Sequence, residues 1–168
     1  MSRFSRLLRR VAGFFGNDSG AALVEFALAL PLFLILFAAT VDGARMMWSY
    51  QKAAAGVRDA TRYLGRTTPL SICGGAGGSV AGRQAQLEGI VRNAIGGGSI
   101  VPAGVTVTSV VPSHVCLAGT WRNGPVPIAT VTASLEITMP FSGVFQLVGG
   151  SVGTFTATIT DQTRVFGS

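Results

Sequence analysis

Glu25 is the side chain with the clearest chemical significance, because it places a carboxylate near the start of an apolar segment. A charge in such a position is costly unless it has a partner or lies at the membrane surface. Gly20 suggests a partner: if the chain were cut after Gly20, the new amino group of Ala21 would lie one helical turn from Glu25. An ammonium and a carboxylate could then neutralise each other, within one chain or between adjacent chains. Simple hydration of Glu25 at the cytoplasmic interface is the alternative.

Cys73 and Cys116 are the two cysteines of the chain. Their separation fits no zinc motif, and the single histidine, His114, does not complete a metal site with them. We favour a disulfide, which would form if this part of the chain is exported to an oxidising compartment. In the chain-entropy model it would stabilise the fold by roughly 3–4 kcal/mol. The alternative is a pair of unbonded small apolar residues. No metal site is expected.

The other polar residues form no recognisable catalytic motif. His114 lacks a convincing carboxylate partner, and the acidic residues Glu88, Glu136 and Asp161 are scattered along the sequence. The glycines of residues 74–78 lack the lysine and hydroxyl residue of a phosphate-binding loop. We therefore expect no enzymatic activity, no catalytic residue and no cofactor.

Composition points to a membrane rather than a nucleic acid. Only 12% of the 168 residues are charged, 48% are hydrophobic, and the net charge is +6. No stretch combines dense Lys and Arg with interleaved aromatic residues, so we do not expect nucleic-acid binding. Four arginines instead precede the apolar run: Arg3, Arg6, Arg9 and Arg10.

The apolar run predicts a transmembrane helix over residues 21–41. As a helix it would extend roughly 31 Å, enough to cross a bilayer core. The basic leader, residues 1–20, predicts a cytoplasmic N-terminus, with residues 42–168 forming an exported domain. The alternative is a secretory signal peptide, whose removal would release a soluble protein. However, residues 38–42 match a signal-peptidase site poorly.

Helical periodicity continues beyond the apolar run and predicts one long helix over residues 21–65. Its exported half has one apolar face, made of Ala53, Val57, Ala60 and Leu64. Gly65 is a plausible stop. Glycine and proline then indicate a flexible loop over residues 66–82, and residues 83–95 are predicted to form a short helix.

The remainder of the chain predicts β-structure. Apolar and hydroxyl residues alternate over 129–138 and 154–160, and also over 105–108, although Val110-Val111 interrupts that pattern. We therefore expect an α+β fold, in which the long N-terminal helix packs on a small antiparallel sheet. The apolar segment 140–148 could pack in the core, touch the membrane surface or meet a partner; we favour the core.

The sequence GAALVEFALALPL, residues 20–32, resembles the processing region of type IV prepilin-like proteins. More narrowly, it resembles the TadE/TadF family of pseudopilins of the tight-adherence (Tad, or Flp) pilus. The family pattern has a basic leader, a glycine, four residues, and then a glutamate followed by an aromatic residue and an apolar helix. Gly20, Glu25 and Phe26 match it, and residues 41–65 resemble its continuation. Major Flp pilins carry Glu-Tyr and are far shorter, so this chain does not resemble the main filament subunit.

This resemblance implies cleavage between Gly20 and Ala21 by a prepilin peptidase, with Glu25 and Phe26 serving processing or assembly. It also implies a type IV pilin-like fold and a single-pass protein of the bacterial inner membrane. The C-terminal domain would lie in the periplasm, and the protein would act in pilus assembly and adhesion. The implied partners are other pilins and pseudopilins, an inner-membrane assembly platform and the lipid bilayer. The alternative is an uncleaved anchor that presents a small periplasmic binding domain.

Overall fold

The computed structural model describes most of the chain from residue 18 to residue 167. The described residues are 18–74, 79–93, 98–121, 124–146, 149–150 and 153–167. Most of the predicted basic leader, including its four arginines, therefore lies outside the described residues. The chain divides into two compact units, Met1–Val41 and Asp42–Ser168.

Helix α1, Asp18–Thr67, confirms the predicted long helix and extends beyond it at both ends. Leu, Ala and Phe dominate its first part and favour helix, and the helix continues through Pro31. Within the second unit, α1 buries the predicted face against the sheet. The four residues of this face are each at most 1% exposed: Ala53, Val57, Ala60 and Leu64. The periodicity of the sequence therefore identified the side of α1 that enters the core.

Three antiparallel strands form the sheet, in the order β1-β2-β3: β1 is Val105–Leu117, β2 is Val126–Thr138 and β3 is Thr154–Arg164. The α+β fold is therefore confirmed. Strand β2 lies in the centre and turns its predicted apolar face entirely into the core. Each residue of that face is at most 4% exposed: Ala129, Val131, Ala133, Leu135 and Ile137.

Strand β1 is longer than the predicted 105–108 because a register shift restores its alternation. The pairing with β2 shifts between Val107 and Ser109. Val107 is buried before the shift, and Val110 and Pro112 are buried after it. An extra residue in one strand moves every later side chain to the opposite face. The apparent interruption at Val110-Val111 is therefore a change of phase within one strand.

The connections are more ordered than predicted. The segment expected to be a flexible loop contains two short 3-10 helices, Leu70–Gly74 and Val80–Arg83, with residues 75–78 outside the described residues. Helix α2, Gln84–Arg92, replaces the predicted helix 83–95 and ends before Asn93, which is extended. Residues 94 and 95 lie outside the described residues.

The apolar segment 140–148 contains a short helix, α3, Ser142–Gln146. None of its side chains is buried, so the expectation of core packing is wrong for α3. Its flanking residues 147 and 148 lie outside the described residues.

The unit that begins at Asp42 has two distinct ends, because α1 and β2 both run along its length. At the Asp42 end, Arg45 Nη2 donates to Ala103 O at 3.3 Å, and the backbone N–H of Thr138 donates to Gly104 O at 2.7 Å. At the Gly65 end, the backbone N–H of Phe166 donates to Gly65 O at 2.8 Å. The helical rise of about 1.5 Å per residue separates the two ends by about 35 Å along α1.

Candidate processing and assembly site

The predicted cleavage site lies in the first turns of α1. Gly20 and Ala21 are helical and exposed, as are Glu25 and Phe26 one turn later. Among the described residues, a Cβ atom added at Gly20 would meet no atom within 4 Å beyond the backbone of its own helix. Glycine destabilises a helix by about 1 kcal/mol relative to alanine. Packing among the described residues therefore gives no reason for a glycine at position 20.

Ala21 and Glu25 are four residues apart on one helix, and their positions are neighbours on its surface. Neither ion pair of the described residues involves Glu25. In the uncut chain the nitrogen of Ala21 is a neutral amide. Cleavage after Gly20 would turn it into an ammonium about 6 Å along the helix axis from Glu25. It would also expose N–H groups at a new helix N-terminus, where a carboxylate is favoured.

The helix that carries this site exposes a large apolar surface. Among the described residues, α1 is the one helix long and apolar enough to cross a membrane, and only 6% of its apolar window is buried. The exposed fraction reaches 70% at Leu23, 61% at Phe26 and 78% at Leu28. An exposed apolar surface of this extent is typical of a segment that contacts lipid or another apolar helix.

The structure joins Cys73 and Cys116 in a disulfide, with their Cα atoms 5.8 Å apart. Cys73 lies in the first 3-10 helix and Cys116 near the end of β1, so the bond ties the connection after α1 to the sheet. His114 also lies on β1, two residues before Cys116.

The acidic residues that the sequence left scattered are also dispersed in the structure. Glu88 lies on α2 and faces Arg92 at 4.0 Å, whereas Glu136 lies on β2 and Asp161 on β3. Across the described ranges, no three His, Cys, Asp or Glu residues are grouped as metal ligands.

Asp42 is a buried carboxylate whose importance the sequence did not reveal. It is 3% exposed, and its Oδ2 accepts a hydrogen bond from the backbone N–H of Phe141 at 3.3 Å. Its Oδ1 is buried without a hydrogen-bond partner among the described residues. The available signal was a lone acidic residue directly after the charge-free run that ends at Val41. Its partner, 99 positions away, could not be inferred from that signal.

Comparison with known families finds a match to the N-terminal part of the chain. Residues 20–62 match the family model described as TadE-like protein. This range begins at the candidate cleavage glycine and ends within α1, before the sheet. No curated protein and no solved structure matches the chain.

Proposed function

We propose, on the premise that residues 20–62 form a TadE-like segment of a Tad pilus system protein, that the chain is a minor pilin or pseudopilin. In this proposal a prepilin peptidase cuts after Gly20, and residues 21–41 span the inner membrane. The N-terminus lies in the cytoplasm and the unit beginning at Asp42 lies in the periplasm. The protein acts in pilus assembly and adhesion through physical association and not through catalysis.

The observation that carries this proposal is the position of Gly20, which is the first residue of the TadE-like match and lies five residues before Glu25. A glycine at this position, which no contact among the described residues requires, is explained by a protease that accepts only a small side chain before the cut. Open surroundings alone would not identify it, because Gly43 and Gly89 are also helical and equally open among the described residues.

The placement of Glu25 supports a role after cleavage. A charged side chain in the apolar core of a membrane costs about 3 kcal/mol on insertion scales, so an unpaired Glu25 disfavours the interior of a helix bundle. Pairing with the ammonium of Ala21, of the same or a neighbouring chain, removes much of that penalty. The exposed apolar surface can then exchange lipid for other pilin helices with little change in its environment.

The disulfide supports the proposed topology. A bond between Cys73 and Cys116 persists in an oxidising compartment such as the bacterial periplasm, and not in the cytosol. Both cysteines belong to the unit beginning at Asp42, which the proposal places on the periplasmic side.

Mass spectrometry of the membrane-extracted protein tests the cleavage. Cells with an active prepilin peptidase should yield an N-terminus at Ala21, and Gly20→Arg should retain the leader while still inserting into the membrane. Gly82→Arg is the matched control, because a Cβ at Gly82 also meets nothing within 4 Å, and it should be processed normally. A leader retained in the unmodified protein would refute the proposal and favour the uncleaved anchor. A start near Asp42 would indicate signal peptidase instead.

A second experiment separates the two interpretations of Glu25. Glu25→Gln keeps the shape of the side chain and removes its charge, so the protein should still insert but should co-purify poorly with other pilins. Glu88→Gln, which alters an acidic residue outside the apolar run, should leave co-purification unchanged. If Glu25→Gln assembles and is processed like the unmodified protein, Glu25 is merely hydrated at the interface.

A further inference from the structure

We infer that residues 140–145, named here the α3 surface, form a second membrane contact that rests on the outer face of the bilayer. This inference depends on the proposed membrane anchoring through residues 21–41. The occupant of the surface is the lipid interface, where the polar headgroups meet the acyl chains.

The hydrogen bond of Asp42 fixes the position of the α3 surface. The backbone N–H of Phe141 lies 3.3 Å from Asp42 Oδ2, and Asp42 directly follows the charge-free run that ends at Val41. A chain whose residues up to Val41 lie in lipid must therefore hold Phe141 next to the point where α1 leaves the bilayer. Because Asp42 is 3% exposed, this link is shielded from water.

Four of the six residues of the α3 surface are apolar and incompletely covered by the protein. Phe141, Val144 and Phe145 are half-buried and Pro140 is exposed. Phenylalanine and other apolar residues favour the boundary between headgroups and acyl chains. The apolar atoms that the unit leaves uncovered are thus suited to shallow insertion.

Charged residues are also distributed unevenly between the two ends of the unit. No Asp, Glu, Lys or Arg occurs in residues 93–104 or 139–153, which connect α2 to β1 and β2 to β3 at the Asp42 end. At the other end, α1 carries Arg58, Asp59 and Arg62, all exposed. Charged residues are strongly disfavoured below the headgroups, so these charge-free connections can approach lipid closely.

A cation lies beside these charge-free connections. Arg45 is exposed one turn after Asp42, and its Nη2 donates to Ala103 O at 3.3 Å. A guanidinium offers five N–H donors and suits phosphate oxygens. Arg45 therefore lies where a lipid phosphate is expected if the α3 surface contacts the bilayer.

Tryptophan reporters test this contact in the full chain. The protein contains two tryptophans, so the triple variant Trp48→Phe, Trp121→Phe, Phe145→Trp has a single indole within the α3 surface. The single variant Trp48→Phe keeps Trp121 as its one indole. Trp121 lies in the β1–β2 connection at the Gly65 end and is 57% exposed. Each protein is reconstituted into phosphatidylcholine and phosphatidylglycerol vesicles, with or without bromine on the acyl chains near the headgroups.

Brominated lipid should quench the indole at position 145 several-fold more than Trp121. Equal quenching at the two positions would overturn the inference, as would weak quenching at both. A triple variant with Val144→Trp in place of Phe145→Trp provides a second reporter if the first disturbs folding, which near-UV circular dichroism would reveal. Residues of α3 are not buried, so both substitutions should be tolerated.

Vesicle flotation distinguishes failure of this inference from failure of the proposed anchoring. Protein that floats with vesicles after a carbonate wash is anchored, and the quenching result then decides the α3 contact alone. Protein that the wash removes is not anchored through residues 21–41, and both proposals are then refuted.

Discussion

The contact between α1 and α2 at Gly56 makes a quantitative prediction. A Cβ atom added at Gly56 would lie 3.0 Å from Val91 O and 3.2 Å from Val91 Cα. Both are backbone atoms of α2, so relief requires the two helices to separate. Gly89, within α2, has no atom within 4 Å of the corresponding position, so Gly89→Ala is the matched control.

The two variants share one energetic term and differ in the other. Each Gly→Ala change stabilises a helix interior by about 0.5–1 kcal/mol. Gly56→Ala also overpacks a tight contact, which typically costs about 1–3 kcal/mol. Gly89→Ala should therefore raise the free energy of unfolding, and Gly56→Ala should lie about 1–3 kcal/mol below it. The difference between the variants isolates the packing term because the propensity terms cancel.

Thermal unfolding of the full chain in detergent micelles, followed by near-UV circular dichroism, measures this difference. At this chain length each kcal/mol corresponds to a shift in Tm of about 2–4 °C. Gly56→Ala should melt below the unmodified protein or close to it, and Gly89→Ala above it. If both variants were stabilised equally, α2 would not pack on α1 at Gly56, and the described arrangement of these helices would be wrong.

The remaining predictions concern the disulfide and the buried carboxylate. The double variant Cys73→Ser, Cys116→Ser should lose about 4 kcal/mol of stability, because the bond closes a loop with a sequence separation of 43 residues. Chemical denaturation should show the same loss for the unmodified protein after reduction, and an unchanged midpoint in both would contradict the prediction. Asp42→Ala should accelerate hydrogen exchange of the Phe141 amide, measured by mass spectrometry, because that N–H loses its acceptor. The control Asp59→Ala, at an exposed position of the same helix, should leave this exchange unchanged; acceleration in both variants would disprove the specific link.

Repeating patterns in the sequence predicted those parts of the fold that a single buried face determines. Ala53 and Leu64 belong to a helical repeat, and Ala129 and Ile137 to a strand repeat, and all four enter the core as expected. Strand β3 follows its pattern less fully: Ile159 is 6% exposed, but Phe155, at its beginning, is 41% exposed. Alternation identifies which face of a strand is apolar. How completely that face is buried depends on the elements that pack against it.

Contacts between residues far apart in the chain could not be predicted from the sequence. The link from Asp42 to Phe141 spans 99 positions and involves a backbone N–H, which any residue but proline carries. The continuation of β1 depends on the register shift after Val107, which changes the phase of the pattern without a residue type that marks it. The candidate processing site differs from both, because Gly20 and Glu25 are close in sequence and could be identified by spacing alone.

Because of the register shift in β1, the two outer edges of the described sheet differ in how readily they could pair with a further strand. Edge β1 contains Pro112, which lacks the backbone N–H that an incoming strand would need. The register shift after Val107 also interrupts the regular spacing of the other backbone N–H and C=O groups of β1. Edge β3 pairs with β2 without interruption from Thr154 to Arg164 and contains no proline. A strand donated by a neighbouring molecule would therefore meet fewer obstacles beside β3 than beside β1. This difference would favour growth of the sheet in one direction.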